Sequence, residues 1–278
     1  MHSPLATPSA TREVLERHGL ALKHHLGQNF LVSQHVIERI GELADLSPED
    51  VVLEVGPGIG TLTCALLGEG CRVLAIEADR TLPPVLAETC ADGGERLRVL
   101  EGDALKVDLR ALEPAPTKLV SNLPYQVAAT VVLRAFEELP SVGRAVVMVQ
   151  AEVADRMAAH PGTKAYGAYT AKLGLYAQVT GRFEVGPGNF MPPPHVDSAV
   201  VRIDRAASSL APDELAFAAR VIDAAFAQRR KTIRNSMSAS GFDKAALDKA
   251  FEAAGIAPGA RAETLEPADF VRLAGELR

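Results

Sequence analysis

Short apolar runs alternate with helical stretches from Val51 onward, and this pattern constrains the fold more than any other feature of the chain. Val51–Val55 is apolar except for Glu54 and ends at Gly56, as a buried strand running into a turn does. A helix is predicted over Thr61–Leu67, a strand over Arg72–Glu77, and further strands over Leu97–Glu101 and Lys118–Ser121. A helix over Val127–Glu138, a strand over Ala145–Gln150 and strands over Val179–Val185 and Ser198–Ile203 follow. Strands separated by helices pair in parallel through right-handed crossovers, so the expectation is an α/β domain with a mostly parallel, seven-stranded sheet. Ahead of it lie helices near 9–18 and 33–45, the second with Ser33 as a cap. After Ala206-Ala-Ser-Ser209 only helical patterns remain, at 212–227, 229–238, 243–254 and 267–277. The division is therefore expected near 207: residues 1–207 as the α/β domain, 208–278 as a small all-helical C-terminal domain.

No run approaches the roughly 18 apolar residues of a membrane span, and Met1–Ala10 lacks a basic-then-apolar leader pattern. Cys64, Cys71 and Cys90 form no Cys-x-x-Cys pair, and no His, Cys or carboxylate cluster has metal-ligand spacing. Reduced thiols in a cytoplasmic protein without a bound metal are the expectation. The net charge of −6 argues against a protein that coats nucleic acid, but its distribution is uneven. Of 29 basic and 35 acidic residues, ten of each lie beyond residue 207, which leaves 19 against 25 before it. Within the neutral tail, Arg229, Arg230, Lys231 and Arg234 stand together with no acid among them. Such a cluster is either a phosphate-binding patch or a solvated helix face, and composition leaves both open.

Three strand ends then suggest a ligand. In Glu54-Val-Gly-Pro-Gly-Ile-Gly60, Gly56, Gly58 and Gly60 let the backbone turn tightly and approach a bound molecule. The loop lacks the Gly-Lys-Ser/Thr ending of a phosphate cradle, and Pro57 fits a pyrophosphate fingerprint poorly. Glu77 ends the second strand, where a carboxylate can accept both ribose hydroxyls. Asp103 follows the third strand in Glu101-Gly-Asp-Ala104, where it can take the amino group of an adenine. Singly, each acid reads as a surface residue. In a row across one sheet edge they form a site for an adenosine held without phosphate contacts.

Asn122-Leu-Pro-Tyr125 follows the fourth strand at the same edge. An exocyclic adenine amine is a poor nucleophile because its lone pair is delocalised into the ring. The Asn122 side-chain oxygen and the backbone carbonyl of Leu123, held out by Pro124, can each accept one N6–H. Two such bonds favour a pyramidal nitrogen and free its lone pair for attack. Tyr125 offers a face on which an extruded base can stack.

With these residues in place, the chain resembles the ribosomal RNA adenine N6-dimethyltransferases, and their small-subunit branch in particular. The similarity runs from about residue 23 to the C-terminus. It includes His25-Leu-Gly-Gln-Asn-Phe-Leu31, the glycine loop, Glu77, Asp103 and the tetrapeptide. It also includes Phe190-Met-Pro-Pro-Pro-His-Val-Asp-Ser-Ala-Val-Val201 and Gln228-Arg-Arg-Lys-Thr-Ile-Arg-Asn235. The resemblance implies a Rossmann-like class I methyltransferase domain using S-adenosylmethionine, with S-adenosylhomocysteine as product. It places Gln28, Asn29 and Leu31 over the methionine end of the donor, and Gly56, Gly58, Glu77, Asp103, Ala104 and Asn122 in contact with it. Asn122, Leu123, Pro124 and Tyr125 hold the target adenine, and Phe190 stacks on that base from the other side unless it is a core aromatic. Arg229, Arg230, Lys231 and Arg234 assist RNA binding. Two transfers to each of two adjacent adenines near the 3′ end of 16S rRNA are implied, on a small-subunit precursor, by a monomeric enzyme. The chain departs from the usual pattern at Ala78, after Tyr166-Gly167, and at Pro83-Pro84, which is expected to interrupt a helix.

Three other readings compete. A resistance methyltransferase acting on large-subunit RNA typically has Ile in place of Leu123. DNA adenine methyltransferases often carry Asp-Pro-Pro-Tyr/Phe instead. An assembly factor that has lost catalysis does not need Glu77, Asp103, Asn122 and Tyr125 intact.

Overall fold

All five residues of Val51–Val55 are buried, which only a central strand covered on both faces allows. The computed structural model describes residues 1–20 and 29–278. The strands are β1 (Phe30–Leu31), β2 (Val51–Val55), β3 (Arg72–Glu77), β4 (Leu97–Glu101), β5 (Lys118–Asn122), β6 (Arg144–Gln150), β7 (Ala177–Val185), β8 (Phe190–Met191) and β9 (Ser198–Arg205). Seven of them form one sheet in the order β4-β3-β2-β5-β6-β9-β7. The pairs β4–β3, β3–β2, β2–β5 and β5–β6 are parallel, and β6–β9 is antiparallel. In chain order the helices up to β7 are α1 (Pro8–Arg17), α2 (Gln34–Ala44), α3 (Thr61–Gly68), α4 (Pro83–Thr89), α5 (Ala128–Glu138), α6 (Ala151–Met157) and α7 (Ala168–Leu173), the last within the helical unit described below. Chain order reverses at β2, whose neighbours are β3 and β5, so the ligand-binding crevice of an open sheet is expected at the ends of these strands. The β2–β5 ladder covers Val52 and Leu53. At Val55 the Ser121 hydroxyl takes over, accepting from Val55 N at 3.3 Å and donating to Val55 O at 2.7 Å.

The chain divides into two compact units, Met1–Ala154 with Val179–Arg205, and Asp155–Gln178 with Ala206–Arg278. Residues 155–178, which the sequence reading assigned to the α/β domain, thus group with the helical unit. That unit contains α8 (Pro212–Phe226), α9 (Ile233–Ala239), α10 (Lys244–Ala254) and α11 (Pro267–Glu276). Its core includes Tyr166, Phe226 and Phe270, with tilted rings 6.1 and 5.9 Å apart. The Tyr166 hydroxyl donates to Leu265 O at 2.7 Å, which ties residues 155–178 to the C-terminal helices by a buried bond.

Several element boundaries depart from the sequence reading for identifiable reasons. Pro83 and Pro84 do not interrupt a helix; they open α4, where a missing N–H costs nothing. Ser33 precedes α2 without a side-chain capping bond. The helix expected from 229 begins at Ile233, capped by the Thr232 hydroxyl, so Arg229, Arg230 and Lys231 lie on a turn.

Phe190 lies in the core. It pairs with Leu31 across the β1–β8 ladder, is 4% exposed and belongs to a cluster that includes Leu31, Val36, Ile37, Val185 and Val200. Phe190→Ala is therefore expected to lower the unfolding free energy by about 3–5 kcal/mol in denaturant titrations. A change below about 1 kcal/mol would mean that the ring is not packed this way.

Candidate active site

The ends of β2, β3, β4 and β5 open into one cleft with an internal volume of ≈ 200 Å³. Its wall holds Asn29, Leu31, Gly56, Gly58, Glu77, Asp103, Ala104 and the whole tetrapeptide Asn122–Tyr125. Of the site residues read from the sequence, the structure brings these together. Gln28 lies outside the described residues. Phe190 is in the core and not on this wall. Arg229, Arg230, Lys231 and Arg234 belong to the helical unit.

The glycine turn is shaped by what touches it. Gly56 has φ +70° and donates its N–H to Ile76 O at 2.9 Å; a Cβ there would lie 3.0 Å from Pro124 Cγ. Gly58 has φ +62°, and a Cβ would meet the Phe30 ring at 3.1 Å. Both positions combine a left-handed backbone with a close neighbour, so only glycine fits without strain.

Three acids line the same cleft. Glu77 is 6% exposed; its carboxylate accepts from Asp79 N at 2.8 Å and from Gly58 N at 3.3 Å. Burial pushes its pKa up despite these bonds. Glu54, 1% exposed, accepts from the Thr63 hydroxyl at 2.7 Å, and burial pushes its carboxyl up to about 8. Asp103 accepts from Leu105 N at 2.9 Å, which closes the turn after β4, and lies 3.5 Å from the Lys106 ammonium. Among the described residues of the wall there is no Lys, Arg or His. Among these described residues a pyrophosphate would find no cation. A nucleoside that carries its own positive charge meets carboxyl groups.

At the end of β5, Leu123 N donates to Met148 O at 3.1 Å and extends the pairing with β6. Pro124 cannot continue that ladder, and the chain turns away into α5. The Asn122 amide donates through Nδ2 to Asn29 O at 3.3 Å, which commits its N–H end and leaves Oδ1 as the acceptor end. The Tyr125 hydroxyl is 2.7 Å from that of Ser198, a fully buried residue opening β9, so the ring is held at its far end.

Sequence reasoning gave no role to Glu54, Ser198 or Phe30. Glu54 carried a signal, as the only acid in an otherwise apolar buried strand. Ser198 and Phe30 carried none, because their importance lies in contacts with Tyr125 and Gly58 on distant elements.

A mostly parallel seven-stranded sheet with a glycine turn after its central strand, and an acid at the end of the next, is Rossmann-like, and the family and solved structures that the chain matches make it a class I methyltransferase dependent on S-adenosylmethionine. Residues 19–278 match the family described as ribosomal RNA adenine dimethylase, and the chain belongs to that family. The chain is 46% identical over 276 residues to the ribosomal RNA small subunit methyltransferase A of Thermobifida fusca, covering 97% of this chain and 95% of that one. A dimethyladenosine transferase from Plasmodium falciparum superposes with a TM-score of 0.74 at 27% identity, over 88% of this chain and 95% of that one. The 23S rRNA methyltransferase ErmE gives a TM-score of 0.66 at 28% identity, over 90% and 99%.

The buried acid makes stability depend on pH. Folded Glu54 keeps its proton up to about pH 8, whereas the unfolded chain releases it near 4.5. The folded state therefore binds the extra proton between these values. Its contribution is complete below about pH 4.5 and is lost as pH rises through 8. Ligand-free Glu54→Gln, measured by denaturation between pH 5 and about 9, is expected to lose less stability with rising pH than the wild type. Parallel curves for the two proteins would contradict the protonated assignment.

Proposed function

We propose that the chain dimethylates the N6 of two adjacent adenines near the 3′ end of small-subunit (16S) rRNA, on a precursor of that subunit. The observation that carries the chemistry is the Asn122 amide, fixed by Asn29 with its oxygen left to accept, beside a glycine turn walled by acids. When bound, S-adenosylmethionine supplies an electrophilic methyl on a sulfonium sulfur. The cleft fits it: Glu77 accepts the ribose hydroxyls, Asp103 and Ala104 take the adenine, and Asn29 and Leu31 cover the methionine end. Asn122 Oδ1 and the Leu123 carbonyl each accept one N6–H of the target, while Tyr125 stacks on the base. Phe190 supports β1 from beneath in this arrangement.

The choice of small-subunit RNA is supported by the relative from Thermobifida fusca, whose name specifies that subunit and which matches over nearly its whole length. Leu123 supports it too. The large-subunit enzyme ErmE is less similar, at 28% identity. In the helical unit, the turn bearing Arg229, Arg230 and Lys231 is exposed and suited to RNA phosphates. Arg234 differs, because Asp248 holds its guanidinium through bonds of 2.5 and 2.7 Å. The enzyme acts as a monomer in the cytoplasm on this reading.

Labelled donor is expected to mark small subunits lacking N6-methyladenine and to leave large subunits unmarked; label in large-subunit RNA alone would sink the substrate assignment. Asn122→Ala is expected to lower transfer by about 10²–10³-fold, the loss typical of one acceptor or donor aimed at the transition state. Wild-type turnover by that variant would refute its role. Reversing Arg229, Arg230 and Lys231 is expected to flatten the salt dependence of RNA binding by about two to three units of log K per log salt, while Arg234→Glu changes it less. An unaltered slope would make the turn merely solvated surface.

A further inference from the structure

The geometry points to Arg134 as a positioning residue for the donor's adenine, clamping the Asp103 turn to the helix that leads out of the catalytic tetrapeptide. Arg134 lies on α5, which begins three residues after Tyr125. Its guanidinium donates through Nη1 to Ala104 O at 2.6 Å and through Nη2 to Val107 O at 3.0 Å. Glu138, one turn further along the helix, fixes the other side of the fork, at 2.6 Å from Nε and 2.9 Å from Nη2. The arginine is 18% exposed, so water does not easily replace these partners.

The segment held in this way is closed on itself. Asp103 Oδ1 accepts from Leu105 N at 2.9 Å, and Asp103 O accepts from Lys106 N and Val107 N at 2.8 and 3.0 Å. These bonds engage Asp103 and the N–H groups of Leu105, Lys106 and Val107. The carbonyls of Ala104, within the turn, and Val107, at its end, are the ones Arg134 takes. A planar fork with fixed donor directions sets both distance and orientation, which a lysine ammonium cannot do. Glu138 raises the arginine's pKa above its ordinary value, and Asp103 and Asp108 add to the effect, so the clamp is charged throughout the working range. The Asp103 side chain itself is 42% exposed, and the Lys106 ammonium beside it is largely in solvent. Its placement therefore depends on the backbone beneath it. Through Arg134 that backbone is referred to the same helix whose start is set by Asn122–Tyr125, so donor adenine and target base share one frame.

This inference rests on Asp103 binding the donor's adenine. The test measures dissociation constants for S-adenosylhomocysteine and for its inosine counterpart, which has an oxygen in place of the amino group. The wild type is expected to favour the adenine form. Arg134→Lys is expected to weaken the adenine form by about tenfold, the equivalent of one charge-assisted hydrogen bond, and the inosine form much less. In transfer assays the loss is expected in the donor's KM rather than in kcat. Glu138→Gln keeps Arg134 and both carbonyl bonds, and is expected to shift the same ratio by a smaller factor, so the test survives if the lysine variant folds poorly. An unchanged adenine-to-inosine ratio in both variants, with only thermal stability lowered, would overturn the proposal. Asp103→Asn separates the two claims. If it alters the ratio while the Arg134 and Glu138 variants do not, the clamp alone is wrong; if it leaves the ratio unchanged, the adenine assignment fails and the clamp falls with it.

Discussion

The approach of Pro124 to Gly56 is the contact on which the site depends. The glycine turn at the end of β2 and the tetrapeptide Asn122–Tyr125 at the end of β5 meet where a Cβ on Gly56 would lie 3.0 Å from the proline ring. They meet because β2 and β5 are parallel neighbours and end together, with Ser121 bridging the last residues. Methyl transfer requires reacting atoms held about 3–3.5 Å apart and aligned. A glycine on one side and a strand-ending proline on the other bring the two backbones as close as their shapes allow. Other features follow from this pairing. Gly58 makes room for Phe30, and Asn29 beside it reaches the Asn122 amide.

Electrostatics act in the same direction. Glu54, Glu77 and Asp103 share the cleft with no basic side chain among its described residues. Burial raises both Glu54 and Glu77, and Glu54, pushed up to about 8, keeps its proton at neutral pH in the ligand-free site. A cation bound beside it favours its ionised form. Within the helical unit, Arg229, Arg230 and Lys231 stand together on an exposed turn.

Much of this was legible in the sequence because it was periodic or local. The strands of the parallel sheet came within about a residue of their observed bounds, since apolar runs ended by glycine or an acid leave little freedom. That Glu77, Asp103 and the tetrapeptide would line one cleft was legible because strand ends converge in any open parallel sheet. Long-range partners were not. Arg134 looks like an ordinary basic residue on an amphipathic helix until its carbonyl partners are seen. For Phe190 the motif left a base-stacking ring and a core aromatic both open, and only its pairing with β1 and its burial show the apolar cluster around the ring. Residues 155–178 were assigned to the nearer domain in sequence, whereas the bond from Tyr166 to Leu265 and the packing of Tyr166 on Phe226 belong to the helical unit. Arg229 to Lys231 read as helical because charged residues carry no turn signal, and Thr232 as a cap decided otherwise.

The central claim is that Asn122 and the Leu123 carbonyl act on an exocyclic adenine amine. Nucleoside mass spectrometry of RNA digested from treated small subunits tests it most directly, because it resolves which atom of which base has gained methyl groups. N6,N6-dimethyladenosine is expected at two adjacent positions, formed about 10²–10³-fold more slowly when Asn122 is alanine. Methyl groups found on a ring nitrogen or a carbon, or N6 methylation at the wild-type rate in the Asn122→Ala enzyme, would contradict it.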